Sequence, residues 1–182
     1  MNQNKSLGLR RASCALFAVL VAVSAGAQET TSPTLDYVMT YRANLAPPQA
    51  VAADRFIYEG TGGWVTMANG TKGSLRAPCA DWLEQLESGA SRLDVRCTIE
   101  MEDGALIYME YTGRIVFSPE GQEKAERGES LSGSDAYFIA SPTFHTTSEQ
   151  YAWMNQAVFV NKWVKTGEGA SYVVYDTYKV VP

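Results

Sequence analysis

The chain has 182 residues, 46% of them hydrophobic, a formal net charge of −5 and a single histidine. A surplus of acidic side chains repels nucleic acid and anionic membrane surfaces, so neither is an expected partner. One histidine also leaves little material for a zinc site or a Ser-His-Asp triad, and no metal or other cofactor is implied.

The first 27 residues have the pattern of a secretory signal peptide. Three basic residues, Lys5, Arg10 and Arg11, come before the uncharged stretch 12–23, which is too short to span a bilayer. Ser24-Ala25-Gly26-Ala27 follows as an A-x-A cleavage site, and Arg10-Arg11 leaves a twin-arginine route open beside general secretion. We therefore expect a periplasmic or secreted protein. The predicted boundaries are residues 1–27 for the signal peptide, 28–34 for a linker and 35–182 for one domain.

Cleavage after Ala27 changes both the charge and the cysteine count. Lys and Arg fall from 15 to 12 against 20 Asp and Glu, so the net charge becomes −8. Two cysteines remain, Cys79 and Cys97. In an oxidising compartment an even pair favours a disulfide.

From Leu35 onward, short strands are separated by turns. Asn69-Gly70 favours the type I′ turn of a tight hairpin, and Glu102-Asp103-Gly104 marks a second turn. The predicted strands are residues 35–45, 64–68, 71–75, 93–100, 105–117, 136–140, 151–161 and 171–180. About eight strands with one short helix predict an all-β fold, either an antiparallel closed barrel, which we favour, or a curled sandwich.

Two segments depart from the strand pattern. Residues 81–87 (DWLEQLE) predict two turns of helix, with Asp81 as the N-cap and Gly89 just past the end. Residues 118–135 are charged and rich in Gly and Ser, which is typical of a mobile lid or a disordered insertion.

A series of short motifs runs through nearly the whole chain after the signal peptide. These motifs are Gly62-Gly63, Asp81-Trp82, Leu93-Asp94-Val95-Arg96, 103–108 (DGALIY), Gly113-Arg114, Tyr137-Phe138, Phe144, 151–155 (YAWMN) and Val158-Phe159-Val160. In this order and spacing they resemble the domain-of-unknown-function family numbered 3237, small bacterial and fungal proteins. The resemblance implies a β-barrel but no established reaction, so function has to be argued from a site.

Polar side chains in register on two neighbouring strands predict a ligand site if their shared face is the barrel interior. Arg96 and Arg114 would present forks of donors suited to a carboxylate or an enolate. Glu110 or Asp81 would accept a proton, which suits a proton transfer, an isomerisation or an elimination on a small carbonyl or carboxylate compound. The rest of the predicted ligand-binding set is Tyr108, Trp153 and Asn155.

Each of these residues also has a structural interpretation. Asp81 could simply cap the predicted helix, while Arg96 and Glu110 could lie on the solvent face or form a structural salt bridge. Two functional alternatives to an enzyme therefore stay open. One is a periplasmic protein that binds a small ligand without transforming it, and the other is a filled barrel that forms a homo-oligomer through an exposed edge or aromatic patch.

Overall fold

The computed structural model describes residues 31–182, so the predicted signal peptide 1–27 lies outside the described residues. Ten strands and one α-helix occur in this range, with three short 3₁₀ turns between them. None of the helices among these residues is long and apolar enough to cross a membrane. The elements are β1 (Thr34–Leu45), β2 (Gln49–Ala52), β3 (Arg55–Met67), β4 (Lys72–Gln85), β5 (Ser91–Met101), β6 (Leu106–Phe117), α1 (Pro119–Glu126), β7 (Leu131–Ser132), β8 (Ala136–His145), β9 (Phe159–Thr166) and β10 (Tyr172–Val181).

Eight of these strands form a closed antiparallel barrel, as the strand pattern predicted. They follow one another around the wall in the order β1, β10, β9, β8, β6, β5, β4 and β3, and β3 pairs with β1 to close it. The short strand β2 adds to β3, and β7 adds to β9. Closure gives these eight strands a hydrogen-bonding neighbour on both sides, and it places alternate side chains in the interior.

Three hairpins at the ends of β3, β4 and β5 share one turn geometry. In each, a glycine with positive φ (Gly70, Gly89 or Gly104) donates its N–H to the carbonyl three residues earlier. This is the three-residue loop in which a type I turn precedes a left-handed glycine. The hairpin predicted at Asn69-Gly70 is therefore confirmed, but its turn is not type I′, because Asn69 does not have a positive φ.

The interior differs between the two ends of the barrel. At the end that holds the β3–β4 and β5–β6 turns, apolar side chains fill the space; Met39, Ile99, Ile107 and Phe159 are each at most 1% exposed. At the opposite end the strands enclose a cavity, and α1 lies beside its opening. The packed half thus supplies the hydrophobic core and leaves the other half free for a site.

The helix predicted over 81–87 is wrong. Residues 81–85 continue β4, and the chain then turns through the hairpin at Gly89. Here Leu83 is buried in the interior and Trp82 is exposed outside, so the residues alternate with the period of a strand. Pairing with β3 and β5 on both sides overrides the helix-forming composition of this segment.

The segment 118–135 contains the one α-helix among the described residues, followed by the short strand β7 and a 3₁₀ turn. Ser118 caps α1 by accepting the N–H of Gly121, and Pro119 occupies the first turn. The Lys124 ammonium contacts the Asp135 carboxylate at 2.8 Å, which ties the helix to the following turn. The strand predicted over 151–161 also needs correction, since residues 152–156 form a 3₁₀ turn and β9 begins at Phe159.

Candidate functional site

The cavity at the open end of the barrel has a volume of about 650 Å³. All eight barrel strands and the segment around α1 contribute to its wall, which is mostly apolar. Its aromatic members are Tyr41, Phe56, Tyr58, Tyr111, Phe117, Phe138, Trp163 and Tyr175. A concave apolar space of this size with few polar groups is the usual form of a small-molecule site.

Asp81 is the acidic group that projects from the barrel wall into this cavity. On β4 it shares the inner face with Cys79 and Leu83, and its side chain is partly buried. The backbone N–H of Asp94 donates a hydrogen bond to Asp81 Oδ1 at 3.0 Å. Burial raises the pKa of Asp81 to about 7, although the hydrogen bond from Asp94 opposes that rise. A carboxyl group in this state exchanges protons near neutral pH.

Strand register places two phenols near the level of Asp81. Asp81 lies opposite Tyr58 on β3 and opposite Val95 on β5, and Val95 lies opposite Tyr111 on β6. Because neighbouring strands are about 4.8 Å apart, the backbones at Asp81 and Tyr111 are roughly 10 Å apart, with Val95 between them. Burial raises the pKa of Tyr58 and Tyr111, and the charge of Asp81 raises both further, so both phenols stay neutral hydrogen-bond donors.

A cluster of buried phenols forms the inner end of the cavity. The rings of Tyr41 and Tyr175 stack with their centroids 5.2 Å apart, and Tyr111 meets Tyr175 edge-on at 6.0 Å. Behind Tyr41, the amide of Asn161 donates to the Tyr41 hydroxyl at 2.8 Å, and Thr177 donates to Asn161 at 2.7 Å. Asn161 and Thr177 are completely buried. The polar groups at the base of the cavity are therefore ordered by the barrel itself.

Among residues 31–182, no lysine, arginine or histidine lines the cavity. The ionisable acids in its wall are Asp81 on β4 and, beside α1, Glu126 and Glu129. Arg127 donates to Glu129 at 2.6 Å, and this hydrogen bond lowers the pKa of Glu129. The cavity thus combines an apolar wall with negative rather than positive charge.

The predicted disulfide between Cys79 and Cys97 is present, and it forms part of the cavity wall. It joins β4 to β5 at the point where their register shifts, between Arg76 and Ala80. Gly60 on β3 packs directly against it, since a Cβ atom at that position would lie 2.6 Å from Cys79 Sγ. The bridge therefore holds β4 in place two residues before Asp81.

Three of the predicted site residues lie together on the outer face of the barrel. Arg96 contacts Asp94 at 3.1 Å, and its guanidinium lies 5.4 Å from the ring centroid of Trp82. Tyr108 donates to Glu110 at 3.1 Å. Arg96 and Glu110 are paired in register, as predicted, but their strands turn this polar face to solvent. The interior placement on which the predicted set depended is therefore not found for Arg96, Tyr108 and Glu110.

The remaining predicted ligand-binding residues also lie outside the cavity. Arg114 is exposed and donates to the carbonyl of Gly113 at 2.8 Å. Trp153 is exposed in the 3₁₀ turn that precedes β9. Asn155 braces that turn, because its amide both accepts from the N–H and donates to the carbonyl of Thr146, each at 2.9 Å. Of the predicted catalytic and ligand-binding residues, the cavity contains Asp81 alone.

Sequence reasoning missed the phenols of the cavity, although one signal for them was present. Tyr111 shares the apolar face of β6 with Ile107 and Met109, and this face becomes the interior. Asp81 shares a face with Leu83 once the segment is treated as a strand. A search for polar groups on the apolar faces of strands would have found both Asp81 and Tyr111.

Residues 33–180 match the family described as "Protein of unknown function (DUF3237)". A UPF0311 protein of Bradyrhizobium diazoefficiens is 31% identical over 157 residues, which cover 82% of this chain and 99% of that protein. A UPF0311 protein of Clostridium acetobutylicum is 38% identical over 72 residues, and that match covers 40% of this chain but only 46% of the relative.

Solved structures share the barrel. A conserved protein of unknown function from Rhodopseudomonas palustris has a TM-score of 0.75 at 27% identity, covering 84% of this chain and 99% of the other. A β-barrel-like protein from Acinetobacter baumannii has a TM-score of 0.67 at 28% identity, with coverages of 83% and 98%. An enzyme from Penicillium herquei, at 15% identity and a TM-score of 0.58, shows a likeness in fold alone.

Proposed function

This chain belongs to the DUF3237 family, and we propose that its barrel binds a small, neutral carbonyl compound on which Asp81 performs a proton transfer. The observation that carries the proposal is the position of Asp81, a carboxyl group with a pKa of about 7 in the wall of an apolar cavity of about 650 Å³. A general base works best when its pKa lies near the working pH. Perturbed carboxyl groups in such cavities are concentrated at functional sites.

The charge of the cavity favours a carbonyl compound over a carboxylate. A bound carboxylate would lie among Asp81, Glu126 and Glu129 with no cationic side chain in the wall to offset its charge. Burying an unpaired anion costs far more than burying a neutral carbonyl group that accepts one hydrogen bond. A neutral ligand with an apolar body therefore matches both the wall and its few polar groups.

The proposed chemistry is of the isomerase or lyase type and needs only side chains. Asp81 removes a proton from a carbon next to the carbonyl group, and the electrons of the broken C–H bond pass toward the carbonyl oxygen. A neutral phenol of the cavity donates a hydrogen bond to that oxygen as its negative charge develops. Returning the proton to another carbon gives an isomer, while loss of a leaving group gives an elimination.

The test uses 5-nitrobenzisoxazole, which any well-placed base converts by a single proton transfer. The base removes the proton at C3, and the electrons of that C–H bond form a nitrile as the N–O bond breaks. The product is a coloured cyanophenolate. We expect the protein to accelerate this reaction with a rate that rises with pH and levels off above about pH 7. Asp81→Asn should lower the rate by about 100-fold or more, the usual contribution of a general base.

Two further variants make the test specific. Asp54→Asn is the matched control, because Asp54 is exposed in the turn between β2 and β3 and should leave the rate unchanged. Glu110→Gln examines the outer face. Equal rates for Asp81→Asn and the unchanged protein would refute the proposal, and a loss confined to Glu110→Gln would move the site to the outer surface.

Ligand binding without turnover is the second candidate, and the same cavity favours it over a filled barrel. Saturable binding of the neutral fluorescent probe N-phenyl-1-naphthylamine, together with no difference in rate between the unchanged protein and Asp81→Asn, would favour this function. In either case, the Cys79–Cys97 bridge supports our prediction of a periplasmic or secreted protein, because disulfides persist in oxidising compartments.

A further inference from the structure

We propose that Tyr111 is the hydrogen-bond donor to the ligand oxygen, and that Tyr41, Tyr175 and Asn161 are positioning residues that direct its hydroxyl proton into the cavity. This inference rests on the proposed function, since it names the second polar group that a carbonyl ligand would meet. It starts from the direction of the hydrogen bonds behind the cavity wall.

The chain of donors begins at the completely buried residues of β9 and β10. Thr177 donates its hydroxyl proton to Asn161 Oδ1 at 2.7 Å, which leaves the Asn161 NH₂ group facing Tyr41. Asn161 Nδ2 then donates to the Tyr41 hydroxyl oxygen at 2.8 Å. Because the Tyr41 oxygen accepts from Asn161, its own proton points away from Asn161 and toward the phenol cluster.

Tyr111 belongs to the same cluster, since its ring meets that of Tyr175 edge-on at 6.0 Å and the Tyr175 ring stacks on that of Tyr41 at 5.2 Å. Burial raises the pKa of Tyr41, Tyr111 and Tyr175, so all three phenols keep their protons at neutral pH. In the proposed arrangement the Tyr41 and Tyr175 hydroxyls donate to the Tyr111 oxygen. A phenol oxygen that accepts two hydrogen bonds is a stronger donor through its remaining proton.

The hydroxyl proton of Tyr111 then points into the cavity, which is the one side of that hydroxyl left open to a ligand. Tyr111 lines the cavity on β6, and Asp81 lines it two strands away with only Val95 between them. The backbone spacing of roughly 10 Å leaves room for a flat ligand whose oxygen faces Tyr111 and whose acidic C–H group faces Asp81. The barrel would thus hold a donor and a base on adjoining parts of one wall.

The test measures hydrogen bonding to a bound ketone directly. The probe is acetophenone labelled with ¹³C at the carbonyl carbon, whose resonance moves downfield when its oxygen accepts a hydrogen bond. We expect a saturable downfield shift with the unchanged protein and its loss in Tyr111→Phe, with binding weakened by up to about tenfold. Tyr41→Phe and Tyr175→Phe should each reduce the shift while Tyr111 remains, because each removes one of the hydrogen bonds that polarise Tyr111.

The matched control is Tyr151→Phe, a buried tyrosine outside the cavity that accepts a hydrogen bond from Gln150; this variant should keep the full shift. A full shift in Tyr111→Phe, or no saturable shift with the unchanged protein, would overturn the assignment of Tyr111. A full shift in both Tyr41→Phe and Tyr175→Phe would overturn their positioning role. Asp81→Asn should retain the downfield shift, so failure of the proton transfer and failure of this inference give different results.

Discussion

Asp81 holds its proton to an unusually high pH because the barrel wall removes most of the water around it. Burial raises the pKa of this carboxyl group to about 7, and the hydrogen bond from the N–H of Asp94 offsets only part of the rise. A carboxyl group that is costly to ionise in the native state lowers stability at every pH at which the unfolded chain would carry the charge. The same feature that suits Asp81 to proton transfer therefore has a measurable energetic signature.

We expect the free energy of unfolding to fall as pH rises from about 4 to about 7. In this window the native protein keeps the Asp81 proton, whereas the unfolded chain releases it near pH 4, so the native state binds more protons. Each unit by which the pKa is raised corresponds to about 1.4 kcal/mol. Urea unfolding at several pH values should show this component in the unchanged protein and not in Asp81→Asn.

The difference between two stability profiles isolates Asp81 from the other titrating groups. Asp54→Asn serves as the control, because Asp54 is exposed and its profile should run parallel to that of the unchanged protein. Parallel profiles for Asp81→Asn and the unchanged protein would mean that Asp81 ionises as freely in the native state as in the unfolded chain.

At the scale of elements, local patterns predicted the strands whose two faces differ clearly. In β5, buried apolar residues from Leu93 to Ile99 occupy every second position, with polar residues between them. In β6, Ile107, Met109 and Tyr111 likewise alternate with exposed residues, so both strands were predicted to within a few residues. The end of β4 was missed because residues 81–87 combine a helix-capping residue with good helix formers. Pairing with β3 on one side and β5 on the other holds residues 81–85 in the sheet instead.

Helix α1 was missed because it lacks the apolar stripe by which a packed helix is recognised in a sequence. Its local signals, the N-cap residue Ser118 followed by Pro119 in the first turn, were outweighed by the Gly and Ser content of the segment. The contact of Lys124 with Asp135, which ties the helix to the following turn, is not visible in the local pattern.

We expect Gly121→Ala to loosen α1 from the turn at residues 133–135. Alanine favours a helix interior by about 1 kcal/mol, but the added Cβ atom would lie 1.9 Å from the backbone carbonyl oxygen of Asp135, which has to move. Overpacking against backbone costs about 1–3 kcal/mol, so the clash outweighs the propensity. Amide hydrogen exchange should become faster across α1.

The control on the same helix is Glu123→Ala. The Glu123 side chain is 70% exposed, and its removal should change stability by less than about 0.5 kcal/mol. Faster exchange in Glu123→Ala than in Gly121→Ala would contradict the packing argument. Slower exchange in Gly121→Ala would show that helix propensity, rather than the contact with Asp135, decides the effect.

At the scale of the whole molecule, closure of the barrel decides which polar residues meet. The sequence showed that Arg96 and Glu110 share one face and that Tyr111 lies on the other, but only the packed barrel assigns the apolar face to the interior. Asn161 reaches Tyr41 across 120 positions of sequence, a contact that no local pattern encodes. The candidate site was therefore predictable at Asp81 and not in the network behind it.

The Cys79–Cys97 bridge connects the stability of the barrel with the geometry of the site. Their sequence separation is 18 residues, and closing a loop of about this size in the unfolded chain stabilises the native state by about 3 kcal/mol. The bridge also spans the shift of register in β4, next to the strand segment that carries Asp81. Its loss should therefore weaken the fold and loosen one wall of the cavity.

Urea unfolding with and without tris(2-carboxyethyl)phosphine tests both consequences of that loss. We expect the reductant to lower the unfolding midpoint of the unchanged protein and to weaken its binding of N-phenyl-1-naphthylamine. The double variant Cys79→Ala and Cys97→Ala should already have the lower midpoint and should not respond to the reductant, because it has no bridge to break. A response of the double variant equal to that of the unchanged protein would assign the effect to something other than the Cys79–Cys97 bond. An unchanged midpoint with fully reduced thiols would show that the strand ladders alone hold β4 and β5 together.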